Sequence, residues 1–519
     1  MKSKKIFMLS AVLALSLCAC TGNHGGSNGG KSSKPKQTPV ADPTMEVAFT
    51  PLNEDEGENV LVPDYVKDYV DQMHEQEDKI TFPNRVDRLF CNMTWEEAAA
   101  EADKGDGTKY SEAKSGGVDV CQILNRNMKY ECKPIELKWD KGEKTFSENA
   151  RLVAWSEVDK SDKREFKLEA DGNSAKMANL FRNTEYCYQI IDGDQASQMG
   201  KFVTADYTRM ITMGNISNVR DMGGYMTSYG KRVNQGLIYR GGEMAAKDFT
   251  DGGNRHSKNW TDAAQEVQKD VLNIGLELDL RTKSGSGSMT ESNLDWEGEW
   301  EQPNTNTNLA NQVSLGNVNK KAQYVRCAIN SYDSFITDQN RKNEAENANR
   351  DLVPEIFEYF ANADKQHVYF HCWGGADRTG VSGFLLLGIL GVSYTDAIID
   401  FELTTLTNNK RCHMHNSSSA HMPKFLKLFT SGYEFERDGQ KYEYKFDGEK
   451  TLNVNATNLL LAMGVKQETI EKIRTIMLPG YKTGDQEVER ENKPYTDSAE
   501  VVWLSDLLAH DECCDHDHE

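Results

Sequence analysis

Two reactive side chains, Cys372 and Arg378, stand six positions apart in the segment VYFHCWGGADRTGVSGFLLLGILG. The segment predicts an apolar strand, a glycine-bearing loop and an apolar helix. Such a loop aims its backbone N–H groups at one point, at the positive end of the helix dipole, and predicts an oxyanion site. A thiol at that point has a lowered pKa and is a nucleophilic thiolate at neutral pH. Because Arg378 adds a planar fork of donors that matches two phosphate oxygens, we expect Cys372 to attack a phosphorus atom held by the loop.

The same loop resembles the HCx5R(S/T) motif of the protein tyrosine phosphatase superfamily in the residues His371, Cys372, Arg378 and Thr379. The resemblance implies that Cys372 forms a phosphocysteine intermediate and that Arg378 holds the phosphoryl oxygens. It also implies that His371 helps to keep Cys372 in the thiolate form, and that the Thr379 hydroxyl helps the thiolate to leave the phosphocysteine. Further loop residues are expected to bind the substrate: Trp373, Gly374, Gly375, Ala376 and Gly380. The alternative interpretation is a buried, inert cysteine in a tight turn.

Three further segments narrow this resemblance: NVRDMGGY at 218–225, LIYRGGEM at 237–244 and LDLRT at 278–282. Together with the loop they resemble, in order, the pattern of the bacterial atypical tyrosine phosphatases, a group with dual-specificity and lipid phosphatase members. The resemblance covers about residues 207 to 405. Ala376 stands where that pattern has Lys. In that group a basic residue at this position is associated with highly anionic lipid headgroups. Because this chain lacks it, phosphotyrosine is the leading substrate class.

Hydrolysis of a phosphate ester also needs a proton donor for the leaving oxygen. Asp377, inside the loop, is the first choice, and Asp279 and Asp333 are weaker candidates. For Asp279, hydrogen bonding that orders the loop is as good an interpretation as catalysis. The remaining motif residues are expected to be structural: Arg220, Asp221 and Arg281 as scaffold, and Gly223 and Gly224 in a turn.

The elements that position these residues follow from the pattern after residue 206. The strands VLNIGLELDLRT, QYVRCAIN and HVYF alternate with helices at LVPEIFEYFAN and TGVSGFLLLGILG. This alternation favours a central, mainly parallel sheet flanked by helices. Together with this pattern, the resemblance implies that residues 207–485 form a catalytic domain with the α/β fold of tyrosine phosphatases.

Residues 129–206 have a different pattern, with short alternating runs separated by turn residues, which predicts a small antiparallel β sandwich. The order of Trp139, Leu180, Tyr186 and Tyr188, followed by FVTA, resembles a fibronectin type III domain. Fold alone does not give a function, and a structural role is the leading interpretation of this domain.

The amino terminus predicts export. Lysines at positions 2, 4 and 5 precede the apolar run IFMLSAVLALSLC, which has the length of a secretory h-region. Leu17, Ala19 and Cys20 resemble the lipobox of bacterial lipoproteins, which implies removal of residues 1–19 and lipid attachment to Cys20; a plain signal peptide is the alternative. Residues 20–44 are rich in Gly, Ser and Pro and predict a flexible tether. We therefore expect an extracytoplasmic protein, lipid-anchored to a bacterial membrane on the periplasmic side or at the cell surface.

The remaining segments are less informative. Residues 45–128 contain one predicted helix, VPDYVKDYVDQMHEQ, and are otherwise unassigned. The segment CHMHNSSSAHM contains Cys and His, but its spacing fits no zinc pattern well. The acidic tail at 486–519 has His and Cys within reach of a soft or borderline metal, and an unstructured tail without a metal is the leading interpretation. No metal or other cofactor is expected, because thiolate chemistry needs none. Cys327 and Cys412 are candidate oxidation partners of the reactive thiol.

The sequence thus predicts a phosphoric monoester hydrolase, specifically a protein tyrosine or dual-specificity phosphatase, whose partner is a phosphorylated protein or a small phosphomonoester. The net charge of -21 over 519 residues argues against nucleic acid as a partner. One alternative is a phosphoinositide or inositol-phosphate phosphatase, which a basic rim at Lys231, Arg240 and Lys283 would favour. The other alternative is a non-catalytic surface protein that only holds phosphate.

Overall fold

The computed structural model describes the chain in segments: residues 43–45, 48–50, 58–75, 132–140, 143–156, 163–214, 216–243, 262–281, 314–315, 320–321, 323–330, 335–336, 349–372, 374–406, 425, 428–437, 440–448 and 450–488. These segments belong to one unit of the chain, Ala41–Glu519. Several predicted features lie outside the described residues: the signal peptide with Cys20, the loop residue Trp373, the acid candidate Asp333, the CHMHNSSSAHM segment and nearly all of the tail. They stay predictions.

The amino-terminal part of the described chain consists of short strands and one helix. In chain order these are β1 (Pro43–Met45), β2 (Ala48–Thr50), α1 (Asp64–Glu75), β3 (Ile135–Asp140), β4 (Arg151–Ser156), β5 (Lys163–Lys167), β6 (Ser174–Met177), β7 (Glu185–Asp192), β8 (Gln195–Ser197) and β9 (Gly200–Val203). One sheet has the order β1-β8-β7-β4-β5, with β9 also paired to β7, and a second has the order β2-β3-β6. Except for β1, which runs parallel to β8, the paired strands are antiparallel.

Side chains from both sheets form one apolar cluster, because alternate residues of a strand face the same side. Leu137 and Trp139 of β3 pack in this cluster with Leu152 of β4 and Tyr186 of β7. The predicted range 129–206 is too narrow for this region, since β1 and β2 also belong to its sheets. Strands of three residues are too short for their alternation to be recognised in the sequence.

The carboxyl-terminal part alternates strands with helices. In chain order these are β10 (Arg220–Asp221), β11 (Ile238–Gly241), α2 (Asp262–Val267), a π-helical segment (Gln268–Leu272), β12 (Ile274–Asp279), β13 (Ser314–Leu315), β14 (Lys320–Lys321), β15 (Gln323–Arg326), α3 (Asn349–Phe360), β16 (His367–His371), α4 (Asp377–Ile389), α5 (Tyr394–Glu402), a 3-10 helix (Leu403–Leu406), β17 (Tyr433–Arg437), β18 (Gln440–Tyr444), α6 (Leu452–Ala462) and α7 (Gln467–Met477).

Five of these strands form one sheet in the order β10-β11-β16-β12-β15. The four strands from β11 to β15 pair in parallel, and β10 pairs antiparallel with β11 at one edge. The prediction of a mixed α/β domain is confirmed. The ribbons β13-β14 and β17-β18 were not predicted. Strands β13 and β14 have only two residues each, whereas β17 and β18 alternate aromatic and polar residues on either side of an Asp-Gly pair, a signal that the sequence analysis missed.

Helix α4 is central to this domain. Its side chains from Arg378 to Ile389 are buried, which explains why its sequence is apolar all round. None of the described helices, α4 included, combines the length and the apolarity needed to cross a bilayer. Helix α1 is present where the sequence predicts it, and its Val66 and Tyr69 lie in the same apolar cluster as Phe384 of α4. Part of the unassigned region therefore contributes to the core of the α/β domain.

Buried polar contacts join the two-sheet region to the α/β domain. The guanidinium of Arg209 lies over the Phe181 ring, 4.0 Å from its centroid, and donates to the Asn179 carbonyl at 2.8 Å. The same guanidinium donates to the Asp221 carboxylate at 2.7 Å, and both side chains are buried. The two-sheet region is thus packed directly against the segment that carries Arg220 and Asp221.

Candidate active site

The site lies at the carboxyl-terminal edge of the parallel strands, where open α/β sheets bind their ligands. Gly241 of β11, His371 of β16 and Asp279 of β12 are paired side by side in one row. Each is the last residue of its strand. The loop that follows His371 ends at the first turn of α4, as the sequence predicts.

The loop turns at Gly375, whose φ of +65° lies in the left-handed region. A Cβ atom at this position would lie 2.1 Å from the Gly241 carbonyl oxygen, so no side chain fits. The carbonyl oxygens of Gly374 and Gly375 accept from the Asn218 side-chain amide at 2.9 and 3.1 Å. Because C=O and N–H of one trans peptide point in opposite directions, the N–H groups of Gly375 and Ala376 point away from that amide, as an anion-binding loop requires.

Cys372 is buried at the start of this loop. Burial and the carboxylate of Asp377 act to raise the pKa of the thiol. The charge of Arg378 and hydrogen bonding from the Thr379 side chain and backbone outweigh them, so the pKa of Cys372 is lowered from its usual value. A lowered pKa makes the thiol a nucleophile near neutral pH.

Three residues of the first turn of α4 surround this thiol. Nε of Arg378 donates to the Ile329 carbonyl at 2.8 Å, which fixes the orientation of the guanidinium. Thr379 is buried, whereas Asp377, the first residue of the helix, is only half-buried. Among the predicted acids that the structure describes, Asp377 is therefore the one with access to solvent.

A network of buried charges holds the loop. Asp400 of α5 accepts from Arg220 Nε at 2.7 Å and from Arg240 Nη1, and all three side chains are inaccessible to solvent. Nη2 of Arg240 donates to the Gly375 carbonyl at 2.9 Å. Nη1 of Arg220 donates to Oδ1 of Asn218, whose amide nitrogen reaches the loop. Arg220 is therefore scaffold, as predicted.

The basic rim that would favour the phosphoinositide alternative is not formed by two of its three candidate residues. Arg240 is fully buried in the network, because it lies in the middle of β11 and faces Asp400. Lys231 belongs to the turn of Ser228, whose backbone N–H donates to the Gly391 carbonyl just beyond the end of α4. Because α4 has 13 residues and is about 20 Å long, Lys231 lies at the opposite end of that helix from the loop. The third residue, Lys283, lies outside the described residues.

Asp279 is fully buried and directed at Arg281. Its two carboxylate oxygens accept from Arg281 Nε at 2.8 and 2.9 Å, and Oδ2 also accepts from Nη2 at 2.6 Å. Nη1 of Arg281 donates to Glu243 at 2.9 Å. These contacts favour the interpretation that Asp279 orders the segment after β12 over the interpretation that it is a general acid.

His371 contacts a carboxylate that the sequence analysis missed. Its Nε2 lies 2.9 Å from Oε1 of Glu277, and its Nδ1 lies 3.0 Å from the Cys372 carbonyl oxygen. Burial acts to lower the pKa of His371, but the charges of Asp279 and Glu277 outweigh it and raise this pKa. A signal was available in the sequence: in LELDL both acidic residues lie on the face of β12 opposite to the leucines.

The sequence profile of the tyrosine phosphatase family matches residues 211–490. The chain belongs to the tyrosine phosphatase family. A protein of Cupriavidus necator, whose name assigns it provisionally to the tyrosine-protein phosphatases, is 27% identical over 214 residues. These residues are 40% of this chain and 66% of that relative, slightly less than two thirds of its length.

Gly380 of the tyrosine phosphatase domain has a packing role. A Cβ atom there would lie 2.2 Å from the Phe401 ring of α5, so the glycine lets α4 and α5 approach each other. Binding of substrate by Gly380 stays a prediction.

Cys327 of the phosphatase domain is too far from Cys372 for a disulfide. Leu280 lies between them. Its N–H donates to the carbonyl of His371, which precedes Cys372, and the N–H of Cys327 donates to the carbonyl of Asp279, which precedes Leu280. With neighbouring strands about 4.8 Å apart, the two cysteine Cα atoms are about 9–10 Å apart. A disulfide needs less than about 7 Å. The other candidate partner, Cys412, lies outside the described residues.

Proposed function

We propose that the chain is a phosphoric monoester hydrolase in which Cys372 is the nucleophile and phosphotyrosine, alone or with phosphoserine and phosphothreonine, is the substrate class. The observation that carries the proposal is a buried thiol of lowered pKa beside Arg378, at the start of a loop whose peptide N–H groups precede α4. Family membership supports the same chemistry. A protein that only holds phosphate has no need of a thiol at this point.

The reaction proceeds in two steps through a phosphocysteine. In the first, the Cys372 thiolate attacks phosphorus while the loop and Arg378 hold the nonbridging oxygens. The bond from phosphorus to the leaving oxygen breaks as Asp377 gives that oxygen a proton. In the second, water attacks phosphorus, the Asp377 carboxylate takes a proton from this water, and Thr379 donates a hydrogen bond to the leaving thiolate.

Phosphotyrosine is preferred to phosphoinositides because the described part of the chain offers little positive charge to a second phosphate group. Ala376 stands in the loop where the related pattern has Lys, and its side chain is buried. The two basic residues assigned above to a rim are buried or at the far end of α4. A headgroup with several phosphates would therefore be recognised only at the one phosphate that the loop holds.

The protein is proposed to act outside the cytoplasm on a lipid anchor at Cys20, for which the sequence of residues 1–20 is the support. Metabolic labelling with a radioactive fatty acid tests this. We expect label in the full chain and none in Cys20→Ala. Equal labelling of the two would contradict anchoring at Cys20.

The two-sheet region is proposed to be a fibronectin type III-like domain. The Phe181 backbone N–H donates to the Tyr186 hydroxyl at 2.9 Å, five residues upstream of it. This contact is the kind that a tyrosine corner makes in immunoglobulin-like sandwiches. The buried contacts of the two-sheet region with Arg209 support a structural role for this domain.

Phosphate release from a substrate panel tests the proposed activity. The panel contains a phosphotyrosine peptide, a phosphoserine peptide, a soluble phosphoinositide and inositol hexakisphosphate, with reductant present. We expect release from the phosphotyrosine peptide by the protein lacking residues 1–20, and none by Cys372→Ser. Cys132→Ser makes the same change at a buried cysteine of the two-sheet region and should keep activity. No release from any substrate between pH 5 and pH 8 would contradict the proposed function, and preferred release from inositol phosphates would contradict the substrate class.

A further inference from the structure

Glu277 is a buried carboxylate without an obvious structural reason. It lies in β12, and it is paired in register with Tyr369 of β16. Only 2% of its surface is exposed. Its Oε2 is buried and has no hydrogen-bond partner among the described residues. Because an unpaired buried oxygen costs free energy, packing of the sheet alone does not account for a Glu here.

The contacts of His371 define where the protons lie. The Cys372 carbonyl oxygen can only accept, so the Nδ1 atom 3.0 Å from it must carry a hydrogen. On the other side of the ring, Nε2 lies 2.9 Å from Oε1 of Glu277. This second bond needs one proton, which lies either on Nε2 of a charged histidine or on Oε1 of a neutral glutamic acid. Without it, two lone pairs would face each other.

The surroundings favour retention of that proton. Asp279, the last residue of the same strand, and Arg281, two residues beyond it, are the charged groups that act on the pair. The Tyr369 ring lies 5.7 Å from the His371 ring. Tyr239 of β11 is buried in the apolar cluster on this face, together with Tyr369. Burial raises the pKa of Glu277, and Asp279 and Glu277 raise that of His371 in spite of its burial. Both shifts oppose loss of the shared proton.

We propose that Glu277 is a positioning residue of the active site: by sharing one proton with His371, it keeps the Nδ1–H group hydrogen-bonded to the Cys372 carbonyl. The surroundings of the thiolate therefore stay the same across the pH range in which an isolated histidine titrates. That range is about pH 5 to 8. The inference rests on the proposed function for its catalytic consequence. Its direct consequence, the pKa of the Cys372 thiol, exists whether or not the chain turns over a substrate.

Two substitutions distinguish the loss of the shared proton from the loss of the hydrogen bond between Glu277 and His371. In Glu277→Gln the amide can donate to Nε2 of a neutral His371, so Nδ1–H stays on the carbonyl but the pair cannot become charged. In Glu277→Leu both are lost, and the buried volume is kept. Because His371 can stay neutral once Glu277 is gone, the Leu variant leaves no uncompensated buried charge and should fold; if it does not, the Gln variant keeps the test.

The experiment measures alkylation of Cys372 by iodoacetamide against pH, with mass spectrometry of the peptide that contains this cysteine. We expect the thiol pKa to rise by about one unit in Glu277→Leu, and by less in Glu277→Gln. The profile of kcat/KM against pH for an aryl phosphate should shift in the same order. A folded Glu277→Leu protein with the alkylation profile of the unchanged protein would overturn the inference. If alkylation shifts but no phosphomonoester is hydrolysed, the positioning role stands and the proposed function fails.

Discussion

Asp400→Asn tests whether the buried charges stabilise the phosphatase domain. The substitution keeps the shape of the side chain and removes the carboxylate charge that faces Arg220 and Arg240. Each of the two charge-assisted hydrogen bonds is worth about 1.5–3 kcal/mol. Removing one partner from a buried ion pair costs about 3–5 kcal/mol, because the remaining charge is left uncompensated. We therefore expect the free energy of unfolding to fall by about 3–5 kcal/mol, a large part of the 5–15 kcal/mol of an ordinary domain.

The same substitution should reduce activity. Burial and the charge of Arg220 lower the pKa of Arg240 to about 10, so Arg240 is still charged at neutral pH. Without Asp400 the two buried cations repel each other, and Arg240 is the group that donates to the Gly375 carbonyl. A misplacement of about 1 Å in a catalytic loop costs about 100-fold in rate. We expect kcat/KM for an aryl phosphate to fall by about that factor.

Urea unfolding followed by circular dichroism measures the first effect, and aryl phosphate hydrolysis measures the second. Asp64→Asn is the matched control, since Asp64 is 84% exposed and only approaches Lys133 at 3.3 Å. The control should change stability by less than about 0.5 kcal/mol. The reasoning would be refuted if the free energy of unfolding of Asp400→Asn fell by less than about 1 kcal/mol while its slope against urea concentration stayed unchanged.

Other predictions follow from the same contacts. Gly375→Ala should lose about 100-fold in kcat/KM, because its Cβ would strike the Gly241 carbonyl; Gly193→Ala, with a similar φ of +62° but open space around it, should keep activity. Asn218→Gly accepts the left-handed backbone of Asn218, whose φ is +60°, but removes the amide that holds the loop, so kcat should fall; unchanged kcat would count against that role. Burial acts to raise the pKa of Asp400, but the two arginines outweigh it and lower this pKa, so its stabilisation is present above about pH 4 and is lost as the pH falls further. Acid titration of Asp400→Asn should show a smaller loss of stability below pH 4 than the unchanged protein.

The sequence predicted the reactive loop well because its signals are local. Cys372, Arg378 and the paired glycines lie within one short segment, between a strand with an apolar centre and a helix that is mainly apolar after its first turn. Three of the four parallel strands, β12, β15 and β16, were recognisable in the same way, whereas β11 was not predicted as a strand.

Residues that act through distant partners were not predictable in this way. Arg240 was named as a candidate for a basic rim, and only the fold brings Asp400 to it from 160 positions away. Glu277 was missed because its partner His371 lies 94 positions further along the chain. The sequence left two roles open for Asp279, and its contacts with Arg281 favour the ordering of the segment after β12.

Detection of a phosphoryl group on Cys372 tests the central claim most directly. The protein would be mixed with a phosphotyrosine peptide, quenched rapidly in denaturant, and the peptide that contains Cys372 analysed by mass spectrometry. Thr379→Ala should increase the signal, because it slows departure of the thiolate from the intermediate. The account predicts an added phosphoryl group on Cys372 during turnover. Release of phosphate with no phosphoryl group on Cys372 at any quench time, in either protein, would contradict it.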